Sequence, residues 1–326
     1  MAELNESVAK TLVVRKSCYG LPTACPQCLT AYFYLKFAQV PFDLAFHLNY
    51  PDSDQIPYFE TGNYVAYDNE KGGLIERLKK DFADLDTEVS SVLEWTPAKV
   101  LLTTSLADAL TYELFVGCEG ISAYNIYYSD LPWPMGRILY LKQVNSTKQK
   151  YGITIDNAEI KEEEIYSRAN SAYGYLSTQL GEQNYLLENR PSSLDATFLA
   201  HALIVLQALP ETSSLRSKLL QYDNLLRYVQ KYKGELIDAG TTSSFVPRHS
   251  DASSSAPRGR PSSWSSKPKS KPKREKTKEE KTFRRRAKLF VLAQLISVFL
   301  FLTLIAGSGD AEVDLDDDNE GYGYED

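Results

Sequence analysis

An α/β domain, an all-α domain and a single transmembrane helix near the C-terminus make up the fold class that these 326 residues predict. Three observations predict it. Short β-type runs alternate with helical periodicity as far as about residue 85. Long helical patterns without a clear strand fill residues 86–240. Beyond a Ser-, Pro- and Lys-rich stretch, the uncharged run LFVLAQLISVFLFLTLIA extends from Leu289 to Ala306.

In the first region TLVVRK (11–16) reads as a strand. CPQCLTAYFYLKFA reads as a helix, because Leu29, Tyr32, Phe33 and Val40 recur at helical spacing. Pro26 suits its first turn, where a missing N–H costs nothing. VPFDLAFH (40–47), QIPYFE (55–60) and NYVAY (63–67) read as further strands, and GGLIERLKKDF (72–82) as a closing helix. The order βαβ–ββ–α is that of a thioredoxin-like domain, assigned to residues 1–85. In that fold a cis proline precedes the third strand, and Pro57 stands in that place.

In the second region TPAKVLLTTSLADALTYELF (96–115), PMGRILYLKQ (134–143), AEIKEEEIYSRANSAYGYLSTQL (158–180) and SSLRSKLLQYDNLLRYVQKY (213–232) read as helices. The aromatic-rich stretch between the first two reads as a loop. Ser192-x-x-Asp195 is a capping box, in which the hydroxyl and the carboxylate satisfy free N–H groups at a helix start. The helix it opens is apolar nearly all round (Phe198, Leu199, Leu203, Ile204, Val205, Leu206), so it should run through the domain centre. A thioredoxin-like domain followed by an all-α domain with a capped central helix is the glutathione-transferase architecture.

The apolar run Leu289–Ala306 spans roughly 27 Å as a helix, close to the hydrocarbon thickness of a bilayer. A buried core helix is the alternative. Against it stand the lack of a polar face, the abutting FRRRAK (283–288) and the acidic stretch that follows. Residues 248–288 carry 15 Lys/Arg against 4 Asp/Glu, and residues 310–326 carry 9 acidic and no basic residues. The basic flank predicts a tail anchor with the N-terminal domains on the cytosolic side and the acidic tail (307–326) across the membrane. Residues 241–288 hold too few apolar side chains to fold and read as a basic tether. Its lysines lack aromatic interleaving apart from Trp264, so membrane lipid headgroups are the expected partner and nucleic acid is not.

MAELNESVAK at the start has no apolar or Arg-rich amphipathic character, so neither secretion nor matrix import is expected. Cys18, Cys25, Cys28 and Cys118 should then stay reduced. His47, His201 and His249 offer no spacing that would complete a zinc site with them.

Three stretches resemble the metaxins, glutathione-transferase-like subunits of the mitochondrial outer-membrane sorting and assembly machinery. AYFYLKFAQVPFDLAF (31–46) is similar to their first helix and second strand, and SDLPWPMGRILYLKQ (129–143) to their Pro-aromatic-Pro segment. YLLENRPSSLDATFLAHALIVLQALP (185–210) resembles their central helix. The resemblance covers residues 10–235, while the long tether and acidic tail look like those of a subgroup, the plant-type metaxins. It implies a non-enzymatic protein without a cofactor that assists delivery and assembly of β-barrel precursor proteins. Its implied partners are a β-barrel insertase core subunit and a second metaxin-like subunit, with the acidic tail in the intermembrane space.

Cys25 and Cys28 admit two readings. In one they are a glutaredoxin-like pair, with Cys25 at a helix N-terminus where the dipole lowers its pKa. In the other they are a vestige of a redox ancestry. The second is favoured, because YDNEKGGLIERL has no Ser after Glu70 where a glutathione transferase holds its γ-glutamyl group. The alternative function is therefore a tail-anchored, glutathione- or thiol-dependent oxidoreductase using Cys25 and Cys28. A third reading is a membrane tether for unrelated cytosolic partners. Tyr124, Tyr127, Tyr128, Trp133 and Arg137 form a candidate partner surface, with packing between helices as the alternative for the aromatics and a solvated helix charge as the favoured one for Arg137.

Overall fold

Leu12 and Val14, both fully buried, make Lys10–Val14 (β1) a central strand, flanked on each side by a neighbour. Asp43–Phe46 (β2) pairs parallel to it, and Tyr58–Thr61 (β3) antiparallel. Tyr64–Tyr67 (β4) completes the sheet in the order β2-β1-β3-β4. The parallel β1–β2 pair requires a crossover, which is Pro26–Phe37 (α1). Gly73–Asp81 (α2) closes this part. The computed structural model describes residues 9–46 and 55–238 apart from 119 and 188, together with the isolated residues 294 and 297. The tether 241–288, the acidic tail 307–326 and the rest of the Leu289–Ala306 run lie outside the described residues.

After a 3-10 turn at Val89–Ser91 the chain is helical: Trp95–Gly117 (α3), Ile121–Tyr127 (α4), Met135–Lys150 (α5), Ala158–Leu180 (α6), Ser193–Gln207 (α7), Ser214–Leu219 (α8) and Asp223–Leu236 (α9). Helix α3 is long and apolar enough to cross a bilayer. Its Ala98, Leu102, Leu106 and Ala109, three or four residues apart, are instead buried in the helical core. Two π-turns, Leu102–Leu106 and Glu113–Gly117, interrupt its α geometry.

Helix α7 is the axis of the fold. Twelve of its residues are buried, and it touches α1, α3, α8 and α9. Helix α1 is buried almost all round for the same reason: it lies in the same core as the sheet and packs along α7.

Two stretches differ from the sequence reading. Residues 213–232 form two helices, because Tyr222 leaves helical geometry (φ −112°, ψ 86°) to donate its hydroxyl to the Asn170 carbonyl at 3.1 Å. Asn224 then fastens the start of α9 to Ser177 of α6 by two 2.7 Å hydrogen bonds. The aromatic loop contains α4, opened by Gly120 at φ +67°, where a Cβ would overlap the Tyr140 hydroxyl.

Candidate functional site

The sequence singles out three places, and the fold builds each differently. At the α1 N-terminus Cys25 is the N-cap, Pro26 follows, and Cys28 lies one turn in. The Cys25 N–H donates to the Thr23 hydroxyl at 3.4 Å, and its thiol to Gln27 Oε1 at 3.4 Å. The Tyr127 hydroxyl donates to Cys25 Sγ at 3.9 Å. Its ring stacks on Phe115 and lies beneath the Arg15 guanidinium, 5.1 Å from the ring centre. A hydrogen bond from the Cys28 thiol, then the Arg15 charge and the Tyr127 hydroxyl, lower Cys25 to about 6 against the opposing effect of burial. Burial, and next the neighbouring Cys25, push Cys28 well up. Cys25 is only 2% exposed and Cys28 fully buried, both as free thiols. A nucleophilic thiol needs an approach path as well as a low pKa, and the packing around Cys25 closes that path. The Ile56–Pro57 peptide bond is cis and leads directly into β3.

At the start of α2, where a glutathione transferase holds its γ-glutamyl group, the described polar groups are paired with one another. Glu70, which lacks a following Ser, is paired with Arg77 at 2.8 Å. The Leu74 N–H at the start of α2 is taken by Asp68 Oδ1 at 3.1 Å. Among the described residues no three His, Cys, Asp or Glu side chains converge as metal ligands.

The second place is the start of α7. Asp195 Oδ2 accepts the Ser192 N–H at 2.9 Å and the Ser192 hydroxyl at 2.7 Å, while the Ser192 oxygen accepts the Asp195 N–H at 3.4 Å. Asp195 Oδ1 accepts the Leu186 N–H and the Tyr228 hydroxyl, each at 2.8 Å. Beside it Asp86, from the chain between α2 and α3, accepts the Ser193 N–H at 2.8 Å, the Ser193 hydroxyl at 2.6 Å and the Lys79 ammonium at 2.7 Å. Asp86, Ser193, Leu186 and Tyr228 carry no local sequence signal; the third-residue spacing that marks a capping box is silent about partners from elsewhere in the chain.

The third place, the candidate partner surface, divides. Tyr124 and Tyr128 each pack edge-on against Tyr140, at 5.9 and 6.0 Å between ring centres, and Tyr127 covers Cys25. These three rings are half-buried and pack against the core on one side. Trp133 and Arg137 are exposed. The Lys16 ammonium donates to Ser129 Oγ and Asp130 Oδ1, both at 2.6 Å, fastening this segment to the end of β1.

A buried cluster in α3 escaped the sequence reading. Glu113 in the second π-turn accepts from the Tyr166 hydroxyl and, at 3.0 Å, from the Cys118 thiol. Burial and then Glu113 push Cys118 up to about 12, which makes it an inert thiol. The nearby Tyr173 hydroxyl and His201 Nε2 are 2.7 Å apart, and burial lowers His201 to about 3, so its imidazole is neutral.

The four-stranded sheet, its α1 crossover and the α7-centred bundle define the class: a glutathione-transferase-like fold. The family profile "Glutathione S-transferase N-terminal domain" matches residues 26–120, and "Glutathione S-transferase, C-terminal domain" matches residues 169–232. This chain belongs to the metaxin family. It is 51% identical over 297 residues to the "Mitochondrial outer membrane import complex protein METAXIN" of Arabidopsis thaliana, covering 91% of this chain and 92% of the relative. It is 25% identical to "Metaxin-2" of Mus musculus, over 55% of this chain and 68% of the relative. Among solved structures, glutathione transferase GSTFuA3 from Phanerochaete chrysosporium superposes with a TM-score of 0.48 at 11% identity, over 69% of this chain and 96% of that one.

Proposed function

We propose that this chain is a non-enzymatic subunit of a protein import complex in the mitochondrial outer membrane. The observation that carries this reading is its 51% identity, along 91% of its length, to the Arabidopsis protein whose name states that role. The closed thiol pair and the missing Ser after Glu70 favour docking over catalysis.

In this reading residues 1–85 and 86–240 form a cytosolic platform, and Leu289–Ala306 is a tail anchor that leaves the acidic tail in the intermembrane space. Joined to the anchor through residues 241–288, the platform stays at high effective concentration around an adjacent complex. The platform works beside a second metaxin subunit and a β-barrel insertase core subunit, on β-barrel precursors. The lowered Cys25 thiol stands on the side of thiol chemistry, and its burial opposes it.

The test is assembly of a newly made β-barrel precursor in isolated mitochondria that lack this protein, restored with wild type or with Cys25→Ser/Cys28→Ser. Equal rescue by both is the expected result. Rescue by wild type alone returns the function to the thiols, and intact assembly without the protein sinks the import reading.

A further inference from the structure

Helix α5 presents two unlike faces. Gly136, Tyr140 and Thr147 are buried against the protein. The opposite side carries Ile138 and Leu141, 52% and 49% exposed and three residues apart, hence neighbours on the surface. Trp133, 85% exposed, stands just ahead of them. The flanking charge has one sign. Arg137, Lys142 and Lys148 are exposed on the same helix. Residues 131–155 contain four basic and no acidic residues, although residues 1–247 as a whole carry 21 Lys/Arg against 30 Asp/Glu. Two acidic neighbours are already paired, Asp130 with Lys16 at 2.6 Å and Asp108 with Lys150 at 2.9 Å.

A cationic, apolar strip on a predominantly acidic domain is complementary to an anionic lipid surface. Tryptophan settles at headgroup level, aliphatic side chains enter the acyl boundary, and Arg and Lys meet the phosphates. Half a helix is too small for a stable protein interface, which takes some 20–30 residues a side. Lipid docking needs no such area, because it adds to whatever else holds the chain at the membrane. We propose that the N-terminal half of α5 docks on an anionic bilayer, with Ile138 and Leu141 turned to the acyl chains, Trp133 at headgroup level beside them, and Arg137 and Lys142 at the phosphates. This goes beyond the import reading, since it requires a bilayer and not an import complex.

The full chain carrying Trp264→Phe, so that Trp133 is its exposed tryptophan beside the buried Trp95, is reconstituted with vesicles of brominated phosphatidylcholine, with and without phosphatidylserine. Trp133 fluorescence is expected to be quenched with phosphatidylserine present, and the quenching to weaken as salt is raised. The Trp133→Phe variant identifies the signal. Ile138→Glu/Leu141→Glu, two exposed substitutions, should abolish the quenching. Quenching that survives this double substitution overturns the proposal. So does Trp133 that stays open to acrylamide in chains that float with the vesicles, which leaves the face to a protein. A chain that floats with neither vesicle overturns the proposal and the anchor together.

Discussion

Asp195 accepts from two backbone N–H groups and two hydroxyls, all buried, so its loss and the loss of its capping partner should differ in size. Ser192→Ala removes one cap hydroxyl and should cost about 1 kcal/mol. Asp195→Ala leaves the Leu186 and Ser192 N–H groups and the Ser192 and Tyr228 hydroxyls without this acceptor, at about 1–3 kcal/mol each. Urea midpoints compare the two, and a loss no larger for Asp195→Ala would contradict the network. Cys25 supplies a pH dependence. Its native pKa of about 6 lies below the unfolded value, so its stabilisation is fully present above about pH 8.5 and is lost as pH falls through 6. The raised Cys28 acts oppositely, losing its contribution as pH rises above the unfolded value. Stability should therefore climb from about pH 6 towards 8.5 and turn over beyond it, and Cys25→Ser should flatten the climb in urea titrations across pH. The capping box was legible in sequence because its partners are three residues apart; the Tyr127 hydroxyl over Cys25 was not, because the two are 102 positions apart.

At the scale of elements, the contact between α4 and α5 depends on glycine. A Cβ at Gly136 would lie 2.7 Å from the Tyr128 carbonyl oxygen, so one of the two segments must shift. Gly136→Ala should cost about 1–3 kcal/mol as overpacking, read as a lower thermal midpoint. Retention of the wild-type midpoint would mean that the segments do not meet there. Periodicity located most helices because each buries a stripe, and it failed where none was available. Ile121–Tyr127 is too short to display a period, and the break at Tyr222 is imposed by Asn170, on another helix. Helix α1 shows a third limit: with Tyr32, Phe33, Tyr34 and Leu35 all buried, consecutive apolar residues mark burial on every side and do not say against what.

For the whole molecule, the joint between the α/β part and the helical part adds a polar link to the packing of α1 along α7. Asp86 on the connection accepts from Lys79 on α2 at 2.7 Å and from the Ser193 N–H and hydroxyl on α7 at 2.8 and 2.6 Å. Asp86→Ala leaves the Ser193 N–H without an acceptor, at about 1–3 kcal/mol, while Lys79 keeps its pair with Glu76 at 2.7 Å. It should also split a single thermal unfolding transition into two, monitored by calorimetry, whereas one unchanged transition would show that the shared apolar core alone couples the parts. The packing of α1 along α7 has a further consequence, in time. The two helices lie about 155 residues apart in the chain, so at 5–20 residues per second roughly 8–30 s of synthesis separate them on the ribosome. Throughout that interval the nascent N-terminal part offers an uncovered apolar helix to the cell, a standing demand for a chaperone before any membrane is reached.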